Sequence, residues 1–346
     1  MILMPRFTRS LVRRSVIVLA MLLAISAAVA DDGLIGERPN AGGPPDEITV
    51  RFGLLDIDAI DDKDQRFSVD AYFELIWQDP RLAADTASQS ARNVRSLSLD
   101  DIWNPGLTIV NDRGLSLMLP RVADVDNEGN VVMRQRLSGE LAVDLDLREF
   151  PFDTQRLTID IVSYKYSPSE LQFSAKSEFI ANTSTFSADG WRFDILPPEH
   201  SVLRLRQDSA GRTSLALPVT AQRKAGFYVL TLALPMTLIL FMAWTVHWLQ
   251  PDIVPARIGM STATVFSLIA LGVSFRLSLP QVDYLTLTDR FVMFSTLLVL
   301  VSLGVTVAAT RWVNQDRQSS AIRLTTYARW AFPLAYALII VTTLMI

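Results

Sequence analysis

The chain has 346 residues, of which 50% are hydrophobic, with a formal charge of −4 and no cysteine. Its mean hydropathy of +0.27 is too apolar for an ordinary soluble protein, and the acidic balance argues against nucleic acid as a partner. Without cysteine, disulfides, thiolate metal sites and cysteine nucleophiles are excluded.

Arg6, Arg9, Arg13 and Arg14 precede an apolar run from Val16 to Val29 that closes on Ala28-Val29-Ala30. Residues 1–30 therefore read as a secretory signal peptide, with an uncleaved membrane anchor as the alternative. Residues 31–45 are Gly/Pro-rich and predict a flexible lead-in. Over 46–224 the apolar runs are short and punctuated: Glu47–Ile60, Arg66–Gln78, Leu115–Leu119, Val131–Leu137, Leu141–Leu147, Leu157–Tyr164, Trp191–Leu196 and Leu215–Gln222. Short runs rich in β-branched and aromatic residues, separated by turn signals, predict a β-sandwich large enough to bury its own core. Leu82–Arg95 is ambiguous between helix and loop.

Residues 225–346 change character. Four apolar stretches, about 227–249, 255–279, 287–311 and 325–346, are long enough to cross a bilayer as helices. Pro235 interrupts the first, as neighbouring helices allow. With the sandwich outside, Arg257, Arg311, Arg317 and Arg323 fall on the inside, where positive charge accumulates, while Asp283 and Asp289 fall outside. The expected fold is a multi-domain membrane protein: an extracellular or periplasmic immunoglobulin-like β-sandwich followed by a four-helix transmembrane bundle.

The second span carries no charge between Arg257 and Arg276, yet Ser261, Thr262, Thr264, Ser267, Ser274 and Ser278 are scattered through it. Such hydroxyls either bond back to their own backbone or mark a helix that meets water and other helices rather than lipid. Gly259, Ala263, Phe266, Ala270, Val273 and Leu277 step by four and three and so form one stripe.

The order of several local motifs narrows the reading. Trp77-Gln78-Asp79-Pro80-Arg81-Leu82, Trp103-Asn104-Pro105 and Phe150-Pro151-Phe152-Asp153-Thr154-Gln155 occur in the strand-rich half. Gln222-Arg223, Pro235, Pro255-Ala256-Arg257 and Leu279-Pro280 occur in the apolar half. In this order and spacing the chain, from about residue 46 to 346, resembles the pentameric ligand-gated ion channels of the Cys-loop receptor superfamily. Val143 and Leu157 stand where the animal receptors place two cysteines, and the loop between the third and fourth spans is short. Both departures resemble the bacterial members, which implies a multi-pass protein of the cell inner membrane with its N-terminal domain in the periplasm.

The resemblance implies a homopentamer in the lipid bilayer, opened by a small-molecule or proton agonist, that passes monoatomic ions through a pore lined by the second span. It places Gly259, Ala263, Phe266, Ala270, Val273 and Leu277 on that pore, where five Phe266 rings with Val273 and Leu277 form an apolar collar able to close by dewetting. A register rotated by one residue would instead line the pore with Thr264, Ser267, Leu271, Ser274 and Ser278. Pro255, Ala256 and Arg257 resemble the inner mouth of anion-selective members, although in the family this arginine commonly points away from the pore in both classes, and Asp252 with an acidic vestibule would favour cations. Tyr164, with Tyr166 close by, and Tyr72 from the facing subunit take the positions of a ligand-binding aromatic cage; alternatively these tyrosines only pack. The cage is incomplete, because Val110 stands where an aromatic is common and the loop from Arg204 to Arg212 has none. For coupling, the resemblance places Asp62 and Lys63 on one loop tip, Phe152 and Asp153 on a second, Arg223 on the strand entering the first span, and Pro280 at the start of the lever they press, residues 280–285.

His200 and His247 lie in different halves, so a histidine metal site is not expected, and His247 reads as an interfacial residue at the end of the first span. Asp56, Asp58, Asp61, Asp62 and Asp64 lack the glycine and terminal glutamate of an EF-hand loop. No metal or cofactor is called for, and no catalytic constellation or phosphate loop emerges. The competing class is a non-conducting, membrane-anchored periplasmic sensor, for which a single span would suffice.

Overall fold

The computed structural model describes residues 37–84, 94–204, 211–277 and 282–345. The expected signal peptide and residues 31–36 lie outside them. The described part of the lead-in is anchored, where flexibility was expected. Arg38 Nη1 donates to the Asp46 carboxylate at 3.0 Å and to the Pro44 carbonyl at 2.8 Å, and Asn40 Nδ2 reaches the same carboxylate at 2.9 Å. A buried carboxylate requires partners of this kind.

Among the described residues the sandwich comprises β1 (Asp46–Asp61), β2 (Arg66–Gln78), β3 (Arg95–Ser98), β4 (Leu107–Ile109), β5 (Ser116–Leu117), β6 (Val122–Val125), β7 (Asn130–Ala142), β8 (Thr154–Ser163), β9 (Leu171–Phe173), β10 (Glu178–Ala181), β11 (Trp191–Ile195), β12 (Glu199–Leu203) and β13 (Arg212–Arg223). One sheet runs β10-β1-β2-β7-β6-β3, with β5 on β7 and β9 on β1; the other runs β11-β13-β8-β4, with β12 on β13. Alternation aims Ile48, Val50, Phe52 and Leu54 from one sheet at Leu157, Ile159, Leu215 and Leu217 from the other, all buried. The Trp77 and Trp103 rings meet edge to face at 6.0 Å in this core.

Two stretches differ from expectation. Val131–Leu137 and the start of Leu141–Leu147 belong to the single strand β7, and residues 143–147 form no strand. Gly139 lets β7 run through: its φ is +145°, and a Cβ there would sit 2.4 Å from the Gly114 carbonyl oxygen. Of Leu82–Arg95, residues 85–93 lie outside the described residues; Leu82 closes the 3-10 turn Pro80–Leu82 and Arg95 opens β3.

Four helices follow: α1 (Gly226–Trp248), α2 (Val254–Arg276), α3 (Leu287–Val313) and α4 (Gln318–Met345). Each is long and apolar enough to cross a membrane. Within α1 a π turn over Val229–Ala233 precedes Pro235, which absorbs the proline's missing donor and ring clash. Helix α4 begins well before residue 325, because Gln318, Ser319, Ser320 and Arg323 read as loop by hydropathy although they are helical. Leu232, Met236, Leu240, Leu268, Val299 and Phe332 form the core of the bundle.

Candidate functional site

The sandwich and the bundle meet around Arg223, the last residue of β13. Its Nε donates to Asp153 Oδ1 at 2.8 Å, and its two terminal nitrogens reach the Asp62 carboxylate oxygens at 2.7 Å each. The Arg223 and Asp153 side chains are only 1% and 2% exposed. Trp191, Phe150 and Tyr228 close over the guanidinium at 4.1, 4.7 and 5.4 Å. Burial by itself would lower the Arg223 pKa, but the hydrogen bonds and charges of Asp62 and Asp153 outweigh it and hold the guanidinium above its ordinary range. This ion cluster unites three of the expected coupling residues.

The other expected coupling residues stand apart. Lys63 is exposed, and only its backbone amide is engaged, donating to Asp61 Oδ1 at 3.0 Å. Phe152 is exposed as well within one chain. Phe150, two residues earlier and fully buried, makes the contact instead, 5.0 Å from the Tyr228 ring in α1 and 6.1 Å from the Phe275 ring in α2. An aromatic wedged between two rings shifts with them, whereas an exposed one does not. Pro280 lies outside the described residues.

Tyr284 lies in the described part of the loop after α2, within residues 280–285, the stretch expected from sequence to act as the lever of coupling. Its hydroxyl accepts from the Leu147 amide at 2.9 Å and donates to the Leu145 carbonyl at 3.3 Å, and Arg148 lies 5.2 Å over its ring. The Leu287 amide, opening α3, donates to the Arg148 carbonyl at 2.9 Å. The loop between α2 and α3 is thus hydrogen-bonded to the segment before Phe150.

Helix α2 has two distinct faces. Arg257, Ser261, Thr264 and Leu268 are buried against the rest of the bundle. Gly259, Ala263, Phe266, Ala270, Val273 and Leu277 are all exposed, Phe266 at 68% and Leu277 at 72%. At about 100° per residue the two sets lie on opposite sides of the helix. Thr264, a member of the rotated register, is 0% exposed, and its hydroxyl bonds back to the Met260 carbonyl at 2.7 Å. Ser261 instead reaches across to Thr306 Oγ1 on α3 at 3.4 Å.

Pro255 and Ala256 are exposed, but Arg257 is 0% exposed, the orientation away from the pore that the resemblance also allowed. The guanidinium turns inward, where Nη2 reaches Thr325 Oγ1 on α4 at 3.4 Å, and Nε and Nη1 have no hydrogen-bond partner among the described residues. His247, at the end of α1, is likewise buried, with Nε2 at 2.9 Å from Ser302 Oγ.

Tyr164 follows β8 and is 55% exposed, with Lys165 Nζ 5.6 Å above its ring. Tyr72 stands on β2, in the other sheet, its hydroxyl donating to Glu74 Oε1 at 3.4 Å. Burial and the Glu74 charge hold the Tyr72 phenol above its ordinary pKa. Tyr72 and Tyr164 do not contact each other within one chain. Tyr166 turns inward, its hydroxyl accepting from Trp103 Nε1 at 2.8 Å, so within one chain it is engaged by the core. Arg204 and Gly211–Arg212 flank residues 205–210, which lie outside the described residues. Among the described residues no group of His, Asp or Glu is arranged to hold a metal.

Residues 35–202 match the family model described as neurotransmitter-gated ion-channel ligand binding domain, and residues 232–332 match that described as neurotransmitter-gated ion-channel transmembrane region. The first match coincides with most of the sandwich and the second with most of the bundle.

Proposed function

Because the chain belongs to the neurotransmitter-gated ion-channel family, we propose that five copies close around an axis lined by α2, and that a stimulus at the sandwich opens this pore to monoatomic ions. The two-faced burial of α2 carries the reading. An exposed face in one subunit meets lipid, a neighbour or the pore, and a face built of Gly259, Ala263 and Ala270 between larger apolar side chains offers lipid little surface. Five such faces form a narrow conduit, and rings of Phe266, Val273 and Leu277 close it by dewetting. The burial of Thr264 supports this register over the rotated one.

In this assembly Tyr164 of one sandwich and Tyr72 of the next frame the ligand site, with small molecules or protons as candidate agonists. The Arg223 cluster, Phe150 and Tyr284 transmit the stimulus to the end of α2. In this reading the sandwich lies outside the cell inner membrane, and the short connection between α3 and α4, which holds Arg317, lies inside. Voltage-clamp recording of the expressed chain under pH steps and an amine panel tests the proposal. Gated current with a reversal potential that moves on dilution of NaCl supports it, and silence under every condition, with protein at the surface, favours a non-conducting sensor.

A further inference from the structure

Between the two sheets of the sandwich lies a cavity of about 600 Å³, walled by Phe73, Leu107, Ile109, Leu115, Met133 and Leu137 among others. Side chains aimed between packed sheets are ordinarily buried, yet Phe73, Leu107, Ile109, Leu115 and Met133 are only half-buried. The space they face opens to the surface past Leu117, Arg121 and Tyr164, which are exposed and also line it.

Most polar groups on the wall are committed to the fold, the exceptions being the Thr108 hydroxyl and the second carboxylate oxygen of Asp112, both on exposed residues. The Gln135 side-chain oxygen accepts from the Leu119 and Arg136 amides at 2.6 and 3.0 Å, and its nitrogen donates to the Leu119 carbonyl at 2.9 Å. Asn104 Oδ1 accepts from the Gly106 amide at 3.1 Å, and Asp112 Oδ1 accepts from the Gly114 and Leu115 amides at 2.7 and 2.8 Å. Arg121 is paired with Asp100 at 3.2 Å. Water entering the cavity would find few unused partners, the condition under which a cavity favours apolar occupants.

We propose that the space between the sheets is a binding site for a neutral, mainly apolar molecule of drug-like size, held within one chain. Its volume falls in the range of small-molecule pockets. The site adjoins the cage between subunits: Tyr164 and Gly106 line it, whereas Tyr72 and Tyr166 do not. Gly106 has φ +58°, and a Cβ there would come within 3.1 Å of the Tyr164 and Lys165 side chains. An occupant therefore bears on the turn that positions Tyr164, and so modulates the neighbouring site.

The test needs no current, so it stands or falls independently of conduction. As the chain has no cysteine, Met133→Cys in the full-length protein, reconstituted in lipid nanodiscs, places a single thiol in the wall. Its modification by neutral benzyl methanethiosulfonate and by cationic trimethylammonium-ethyl methanethiosulfonate is followed by intact mass. Each rate is referred to the same reagent at the exposed Val202→Cys, which lies outside the lining. The neutral reagent is expected to be favoured by about tenfold or more, since a charge resists entry into an apolar space. Neutral N-phenyl-1-naphthylamine is expected to slow benzyl modification at Met133→Cys and not at Val202→Cys. Ile109→Cys supplies a second wall position should Met133→Cys fail to assemble. Equal normalised rates for the two reagents, or no slowing by the naphthylamine, would overturn the proposal.

Discussion

Arg223 Nε lies 2.8 Å from Asp153 Oδ1 at the junction of sandwich and bundle, with both side chains almost fully buried. Removing one partner strands the other charge out of water, at a cost of ~3–5 kcal/mol. Asp153→Asn is therefore expected to lower the thermal stability of the purified protein sharply, whereas Lys63→Ala, on the same loop tip as Asp62 but exposed, leaves it nearly unchanged. Thermal melts that fail to separate the two variants would remove the cluster from the account.

Tyr284→Phe deletes a hydroxyl that bridges Leu147 and Leu145 and keeps the ring beneath Arg148. The loss is about 1 kcal/mol of hydrogen bonding, felt where the loop after α2 is tied to the sandwich. The agonist or proton concentration for half-activation should shift several-fold with little change in thermal stability. A large stability loss with unaltered gating would make Tyr284 a packing residue only.

Asp160 on β8 supplies the pH dependence. Burial raises its pKa against the opposing field of Arg156, so the fold prefers the protonated form. Stability from this group is complete below the ordinary value of 3.8 and is lost as pH rises through the raised value. Asp160→Asn should accordingly melt higher than the parent at pH 7, with the gap narrowing as the pH approaches 3.8. A gap that stays constant across this range would contradict the assignment.

Arg257 faces Thr325 rather than the exposed stripe of α2. Arg257→Met should leave the reversal potential in diluted NaCl where it was. Because a buried charge without a counter-ion is replaced by an apolar chain of similar length, stability should hold or rise by ~1–4 kcal/mol. A displaced reversal potential would return Arg257 to the permeation path.

The sandwich, the four spans and the stripe on α2 were legible because burial imposes simple periods: two on β1 and β13, about 3.6 on α2. Arg223, Asp153 and Asp62 were found through the order of their motifs, since three charges remote in sequence carry no local sign of meeting. What escaped notice was set by side-chain direction. Phe150 and Phe152 share a motif, and only the folded turn decides which one reaches α2. Tyr166 and Arg257 turned inward for the same reason, each choosing a buried partner that no periodicity marks. The cavity between the sheets was invisible, because its walls are the same alternating residues that a filled core would use.

The claim that α2 lines a pore is tested most directly by cysteine substitution along residues 258–277 of this cysteine-free chain, with a cationic thiol reagent applied during gated current. Modification at Phe266, Ala270 and Val273 should alter the current while Thr264 and Leu268 stay silent. Reactivity centred on Thr264 and Leu268, or silence at all five positions while current flows, would contradict the account.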